Sequence, residues 1–270
     1  MTISLRPRGP FSLPFPLHLA LVDDGGEAVA FRAVWAEGAG EVEVDFVSDL
    51  PVERVERHAA RVLSLDVDAT GLVEVGARDP VVGRLLADAG GRRPVCFGTP
   101  FEAAVWAVLS QRVSMTQAGR AKDALAASLG TRMEVGGVEV VAFPGPHALA
   151  SLESLDGGWD SKLERIRALA SAAAAGDLDP AFLRGLELDE ALTHLQSLPG
   201  IGPFGAMLIL ARGAGHPDVP PPTLRRFHAA VRSAYGLEEE PDEGKIAELS
   251  EGWRPYRAWV TWLLRGVDSG

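Results

Sequence analysis

Cysteine and long apolar runs are scarce in this chain of 270 residues. A single cysteine, Cys96, excludes an internal disulfide bond and a cysteine-rich zinc site. No stretch of about 20 residues is apolar enough to cross a bilayer. The N-terminal apolar patch is broken by prolines and lacks a cleavage pattern of small residues, so we do not predict a signal peptide. These absences together predict a cytoplasmic protein with a reduced thiol.

Positive charge is also in short supply. The 26 basic residues are outnumbered by 37 acidic ones, which gives a net charge of −11. Lysine occurs only at Lys122, Lys162 and Lys245, so nearly all the basic residues are arginine. An acidic balance argues mildly against nucleic acid as a partner. Net charge does not describe a local surface, however, and arginine suits bidentate contacts with phosphate.

Residues 1–75 are predicted to form a small α+β domain. Two segments around Gly38 and Gly40 alternate apolar and polar residues, which is typical of a strand–turn–strand unit. Residues 52–65 then carry apolar side chains at helical spacing. An antiparallel sheet with one helix is therefore expected at the N-terminus.

Residues 76–270 are predicted to be a helical body made of short helices separated by glycine and proline. A short hairpin over 131–145 is the one expected interruption. No fixed-period repeat is visible, so a solenoid is not predicted. The fold class is accordingly mainly α, with two helices joined by a tight glycine turn over 187–213.

That glycine turn carries the clearest chemistry. A helix ends at Leu198, the sequence Pro-Gly-Ile-Gly makes a tight turn, and a new helix starts near Pro203. Free N–H groups at such a turn, with the helix dipole behind them, form an anion site. This is a helix-hairpin-helix pattern, whose usual anion is a DNA phosphate, and such a contact positions DNA without specifying its sequence. An ordinary helix corner with a glycine cap is the alternative interpretation.

Five short motifs in order resemble one known family. They are VLSQRVS (108–114), LPGIG (198–202), GHPDV (215–219), AYGL (234–237) and WRPYRAW (253–259). This order resembles that of the HhH-GPD DNA glycosylases, and in particular of their 3-methyladenine DNA glycosylase II (AlkA-type) branch. The resemblance covers essentially the whole chain. It implies a helix-hairpin-helix glycosylase fold with a small N-terminal α+β domain.

The resemblance also implies roles for residues of the hairpin. Contacts with DNA would come from Leu198, Gly200, Ile201, Gly202 and Gly205. Backbone carbonyls of Gln196, Leu198 and Ile201 would hold a monovalent cation, Na⁺ or K⁺, and no other cofactor is expected. Gln111 and Arg112 would also contact DNA, with Arg112 as the wedge that fills the gap left by a flipped base.

The pocket for the flipped base would be lined by Phe204, Leu208 and Trp262. Bifunctional relatives carry a lysine nucleophile just past the hairpin, where this chain has Pro203 and Phe204. Schiff-base chemistry is therefore not expected. Arg265 and Leu208 stand where some family members have an aromatic residue, so the electron-rich box for cationic bases is thinner than usual.

The family's catalytic aspartate is missing from this sequence. An ungapped match places Leu224 at its position, in the first turn of a helix, with Thr223 before it as the expected N-cap. The aspartate would stabilise the positive charge that develops on the sugar as the base leaves. Asp218 and His228 are the residues that could substitute for it.

Three functions follow from this pattern. The first is a monofunctional glycosylase of base excision repair that removes cationic alkylated purines, such as 3-methyladenine or 7-methylguanine, because such bases leave with the least help. The second is a degenerate homologue that binds damaged or distorted DNA without excision. The third has no DNA role and is supported only by the net charge. The first two predict a monomer that binds double-stranded DNA in the nucleoid and has no membrane partner.

Overall fold

The computed structural model describes residues 1–23, 25–155 and 160–266. Its strands form a four-stranded antiparallel sheet in the order β1-β4-β3-β2 and a separate two-stranded hairpin. The strands are β1 (Thr2–Leu5), β2 (Leu17–Val22), β3 (Ala28–Ala36), β4 (Glu41–Ser48), β5 (Thr131–Val135) and β6 (Val138–Ala142).

Helices make up most of the remaining chain. They are α1 (Val52–Val62), α2 (Leu72–Arg78), α3 (Pro80–Ala89), α4 (Pro100–Leu109), α5 (Met115–Leu129), α6 (Pro146–Ala150), α7 (Asp160–Ala174), α8 (Pro180–Gly185), α9 (Leu188–Ser197), α10 (Pro203–Leu208), α11 (Arg225–Tyr235), α12 (Glu243–Glu251) and α13 (Arg257–Gly266). A π-helical turn, Ile209–Gly213, extends α10. No described helix is long and apolar enough to cross a membrane.

The N-terminal sheet follows from the alternation seen in the sequence. Val42, Val44 and Phe46 of β4 are buried, and the residues between them are more exposed. These side chains pack against α1, whose Val55 and Ala59 are also buried. The predicted strand–turn–strand unit and the helix that follows it are confirmed, although the helix ends at Val62.

The hairpin predicted over 131–145 is also confirmed. Gly136 and Gly137 both have positive φ, which is the geometry of a two-residue turn of type I′. Val135 and Ala142 pack with Ala20 and Ala30 of the N-terminal sheet. The hairpin therefore joins the helical body to that sheet.

Two apolar clusters form the core of the helical body. The larger one surrounds α4, whose residues are almost all buried, together with α7, α9 and α10. The second joins α2 and α3 to α11, α12 and α13, and Val75 and Trp253 are fully buried in it. Residues from about Val67 onward thus pack with the C-terminal helices, while the domain boundary at residue 75 stays a prediction.

A buried arginine fixes the end of the extended α10. Arg61 of α1 donates hydrogen bonds to the carbonyls of Phe97, at 3.1 Å, and Gly213, at 2.6 Å. It is only 4% exposed, so these carbonyls replace the water that its charge would otherwise require. The N-terminal domain thereby positions the π-helical turn.

Candidate nucleic-acid interface

The predicted hairpin is the turn between α9 and α10. Gly200 has φ +84°, a left-handed conformation that favours glycine. Leu198 and Ile201 face inward and are buried, whereas Gly202 is exposed at the N-cap of α10. The turn is therefore fixed from below by two apolar side chains and open to solvent above.

The open side of the turn presents backbone donors. No described residue accepts a hydrogen bond from the N–H of Gly202 or of Phe204, and Pro203 between them has no N–H. An alanine Cβ at position 202 would meet no atom within 4 Å. Such donors attract anions because the helix dipole adds partial positive charge there. Gly205 is buried within the packed face of α10, and its predicted contact with DNA stays a prediction.

A polar clamp ties the turn to the segment between α4 and α5. Gln111 Nε2 donates a 2.6 Å hydrogen bond to the Gly200 carbonyl, and Arg165 Nη1 donates to Gln111 Oε1 at 2.9 Å. The Arg165 stem also lies directly beneath Gly200. Gln111 therefore has internal partners on both amide atoms, and its DNA contact stays a prediction. Sequence reasoning missed Arg165, because the helical pattern of α7 does not indicate contact with a turn so far along the chain.

Arg112 lies next to the clamp and points away from the core. It is exposed and has φ +57°, which is uncommon for a residue other than glycine. Its neighbour Gln111 is held to Gly200, so this backbone conformation is fixed from one side. A long cationic side chain is thus presented beside the hairpin, where the resemblance expects the wedge.

The three predicted pocket residues line one cleft. Phe204 and Leu208 of α10 face Trp262 of α13 across about 480 Å³ of empty space, which includes the open mouth. Phe204 is 40% exposed and stands two residues after Gly202. The cleft therefore begins directly after the turn that the sequence predicts to bind an anion.

Leu224 is the N-cap of α11, and its carbonyl accepts hydrogen bonds from the N–H groups of Phe227 and His228. Thr223 was expected to cap this helix, and that expectation is wrong, because the helix starts at Arg225 and the Leu224 backbone is still extended. Leu224 is half-buried and packs with the apolar cluster of α11 to α13. The position at which the resemblance implies an acid thus holds a packed hydrocarbon, which lies outside the cleft lining.

Neither proposed substitute acid faces the cleft. Asp218 receives the Arg257 guanidinium at 2.8 and 2.9 Å, and Arg254 Nη1 adds a bond of 3.0 Å. Arg257 is 4% exposed, so this carboxylate neutralises a buried charge. His228 Nδ1 lies 2.9 Å from the Pro241 carbonyl, and its buried Nε2 has no partner among the described residues. Both groups are held by local structure outside the cleft lining.

Arginines, which sequence reasoning missed as a group, supply the charge of the cleft. Arg212 and Arg265 line it, and no described carboxylate does. Burial, then the charges of Arg226 and Arg212, lower the pKa of Arg265. Burial also lowers the pKa of Arg212, whose Nε has no partner among the described residues. Asp88 is the carboxylate of an adjoining groove that also contains Arg212 and Arg265.

Comparison with known proteins identifies sequence relatives of this chain. No family model matches the chain. The "Probable bifunctional transcriptional activator/DNA repair enzyme AlkA" of Mycobacterium tuberculosis is 30% identical over 203 residues, which are 74% of this chain and 40% of that protein. The "DNA-3-methyladenine glycosylase 2" of Escherichia coli is 31% identical over 194 residues, which are 68% of this chain and 64% of that protein. The chain therefore spans less than two thirds of the length of either relative.

A solved structure shares the whole architecture. The 3-methyladenine DNA glycosylase of Archaeoglobus fulgidus superposes with a TM-score of 0.77 and 23% identity, covering 98% of this chain and 96% of that one. The chain belongs to the HhH-GPD superfamily, in its AlkA-type branch. The predicted HhH-GPD fold, mainly α with a small N-terminal α+β unit, is thereby confirmed.

Proposed function

We propose that this HhH-GPD protein is a DNA glycosylase of base excision repair that extrudes a damaged base into the Phe204–Trp262 cleft. The observation that carries the proposal is that Arg112, the hairpin turn and the cleft follow one another without a gap. Arg112 adjoins Gln111, Gln111 binds Gly200 of the turn, and the turn leads directly to Phe204. The residues proposed for phosphate contact, base replacement and base capture are thus connected by one hydrogen bond and by adjacent positions in the chain.

The proposed reaction is hydrolytic and monofunctional. Lys122 pairs with Glu102, Lys162 donates to the Leu109 carbonyl, and Lys245 pairs with Glu248. No lysine of the described residues lines the cleft. This supports the proposal that water, and not an amine of the protein, attacks the sugar.

The substrate class has two candidates, which are cationic alkylated purines and neutral damaged bases. The resemblance implies cationic alkylated purines. Their glycosidic bonds are weak, so their release depends least on the carboxylate that this cleft lacks. Loss of one well-placed electrostatic group typically costs about 10²–10³ in rate, which a labile lesion tolerates better than a stable one. The arginines of the cleft act in the other direction, because they repel a cationic base.

A test uses excess protein and duplexes that each carry one lesion, either 7-methylguanine or hypoxanthine. The proposal predicts abasic sites that break only after alkali, with no trapping by borohydride. Phe204→Ala should greatly reduce base release. Phe15→Ala, which removes a 78% exposed phenylalanine outside the cleft lining, should leave it unchanged. Equal release by both variants would contradict the role of the cleft.

A second function, recognition of damaged DNA without excision, is favoured by one observation. Leu224 packs into an apolar cluster, and no described carboxylate lines the cleft. This function predicts no base release at any protein excess, together with tighter binding to lesion-bearing duplex than to intact duplex. Measurements of release and binding on the same samples separate the two functions.

We also propose a monovalent cation at the hairpin, a monomeric state and a location on the cytoplasmic nucleoid. The Leu198 carbonyl accepts the Ile201 N–H at 3.1 Å and keeps a second lone pair, so it fits a cation ligand. With the Gln196 and Ile201 carbonyls it would offer three uncharged oxygens. Such an ion would add positive charge beneath a bound phosphate.

A further inference from the structure

The charge of the cleft differs from what a cationic base requires. Aromatic residues attract a cationic base through their electron-rich faces, and Phe204 and Trp262 supply such faces. Arg265 and Arg212 also line this cleft and oppose such a base, although Arg212 donates to the Val95 carbonyl as well. Asp88, the carboxylate of the adjoining groove, lies outside the cleft lining. The attraction of two rings is therefore opposed by the repulsion of two full charges.

The arginines are brought together by three different helical elements. Arg212 lies on the π-helical turn, Arg226 in the first turn of α11 and Arg265 near the end of α13. Burial, and then the charges of Arg226 and Arg212, lower the pKa of Arg265, so these side chains lie close enough for their charges to interact. Such an arrangement stabilises an anion that enters the cleft.

We propose that the cleft selects neutral damaged bases, which leave as anions, over cationic alkylated bases. This inference rests on the proposed glycosylase function. Hypoxanthine represents the favoured class and 7-methylguanine the disfavoured one, because the two purines are similar in shape and differ in charge. Arg265 and Arg212 are the residues that discriminate between them.

The chemistry balances without another reactant. The bond between C1′ and the base nitrogen breaks, and its electron pair stays on the base, which becomes an anion. Water adds its oxygen to C1′, and the proton that it releases ends on the departed base. A guanidinium that lies nearer the base than the sugar stabilises the negative charge that develops on the base more than it opposes the positive charge on the sugar, and it does not stabilise the neutral ground state, which is the condition for catalysis. A cationic base instead leaves neutral and gains nothing from the arginines.

A DNA phosphate is the other anion that these arginines could hold, and the two roles predict different measurements. A phosphate contact weakens binding to intact and damaged DNA alike when the arginine is removed, and it lowers the salt dependence of binding by about one unit. A contact with the leaving base changes excision of one lesion class and leaves binding to intact DNA unchanged.

The test compares wild type, Arg265→Gln and a control, Arg232→Gln, which removes an exposed arginine of the last turn of α11 outside the cleft lining. Single-turnover release of hypoxanthine and of 7-methylguanine is measured relative to the spontaneous rate of each, and duplex binding is measured over a range of salt. We expect wild type to accelerate hypoxanthine release more than 7-methylguanine release. Arg265→Gln should slow hypoxanthine release about tenfold and leave 7-methylguanine release equal or faster. Tenfold is below the usual loss for a buried stabiliser because Arg265 is exposed at the mouth.

Each other outcome is decisive. Greater acceleration of 7-methylguanine, or an equal loss for both bases in Arg265→Gln, overturns the inference while the glycosylase function stands. A uniform loss of binding with a smaller salt slope assigns Arg265 to a phosphate and also overturns it. If neither base is released, the glycosylase function fails. The inference, which concerns bases that leave as anions, fails with it.

Discussion

Gly202→Ala separates DNA binding from folding more cleanly than any other change in the hairpin. Gly202 has φ −93° and ψ −178°, an extended conformation that alanine adopts freely, and the new Cβ meets no atom within 4 Å. Alanine lowers the entropy of the unfolded chain, which is worth about 0.4–1 kcal/mol. It is also a poorer N-cap than glycine, by a comparable amount. The free energy of unfolding should therefore change by less than about 0.5 kcal/mol, and Tm by less than about 2 °C.

The effect on DNA binding should be much larger. The methyl group stands among the donors that a phosphate would have to approach, and a hydrogen bond to a charged group contributes about 1.5–3 kcal/mol. The dissociation constant for duplex DNA should rise about 10- to 100-fold. Fluorescence anisotropy with a labelled duplex, at several salt concentrations, measures both the affinity and the loss of about one phosphate contact from the salt slope.

Two further glycine variants complete the experiment. Gly38→Ala, at an exposed turn of the N-terminal sheet with open space around it, should change neither Tm nor affinity. Gly200→Ala should lower Tm by about 2–8 °C, since its left-handed φ costs about 1–2 kcal/mol and its Cβ would lie 2.6 Å from Arg165 Cδ. An intact Gly202→Ala protein that binds DNA as tightly as wild type would refute the assignment of the turn to phosphate.

Three other changes test separate parts of the account. Leu224→Asp places a carboxylate at the N-cap of α11, and base release should rise about 10²–10³-fold if the cleft lacks only this group. The control is Leu224→Asn, because asparagine equals aspartate in size and is also a good N-cap. Equal rates of base release for both variants would show that the carboxylate is not the missing group. Arg165→Met keeps an apolar stem and loses the bond to Gln111, so the free energy of unfolding should fall by about 1 kcal/mol and DNA affinity should fall with it; unchanged affinity would show that the clamp does not position the turn. Burial, and next the charge of Arg61, lower the pKa of His58 from 6.5 to about 4. The unfolded chain therefore binds more protons in this window, and stability is lost as pH falls from 6.5 towards 4. In denaturant titrations between pH 6.5 and 4, the free energy of unfolding of His58→Gln should fall by up to about 3 kcal/mol less than that of wild type. An unaltered pH dependence of this free energy would show that His58 is not its cause.

Local patterns in the sequence were sufficient for much of the fold. Alternating segments predicted β3 and β4, and helical spacing predicted α1. A hairpin was also predicted over 131–145, where β5 and β6 lie. β1 and β2 were not predicted. Prolines interrupt their surroundings, and β1 pairs with β4, which lies far along the chain, so no local pattern defines it.

The candidate site was predicted unevenly. Ordered motifs led to Phe204, Leu208 and Trp262, which the structure brings to one cleft. The meeting of Arg212 with Arg265 was not predicted, because the packing of separate helices decides that distance. Spacing within the sequence carries no information about such a contact, so the charge of the cleft became visible only in three dimensions.

Mass spectrometry of free base shows directly whether this protein breaks a glycosidic bond in DNA. Excess protein is incubated with duplexes that contain a single hypoxanthine or 7-methylguanine, and the base in the small-molecule fraction is quantified over time. A DNA glycosylase should release a damaged base above the spontaneous rate, and Trp262→Ala should lose that release. Release at the spontaneous rate from both duplexes, by protein that binds them, would contradict the glycosylase function.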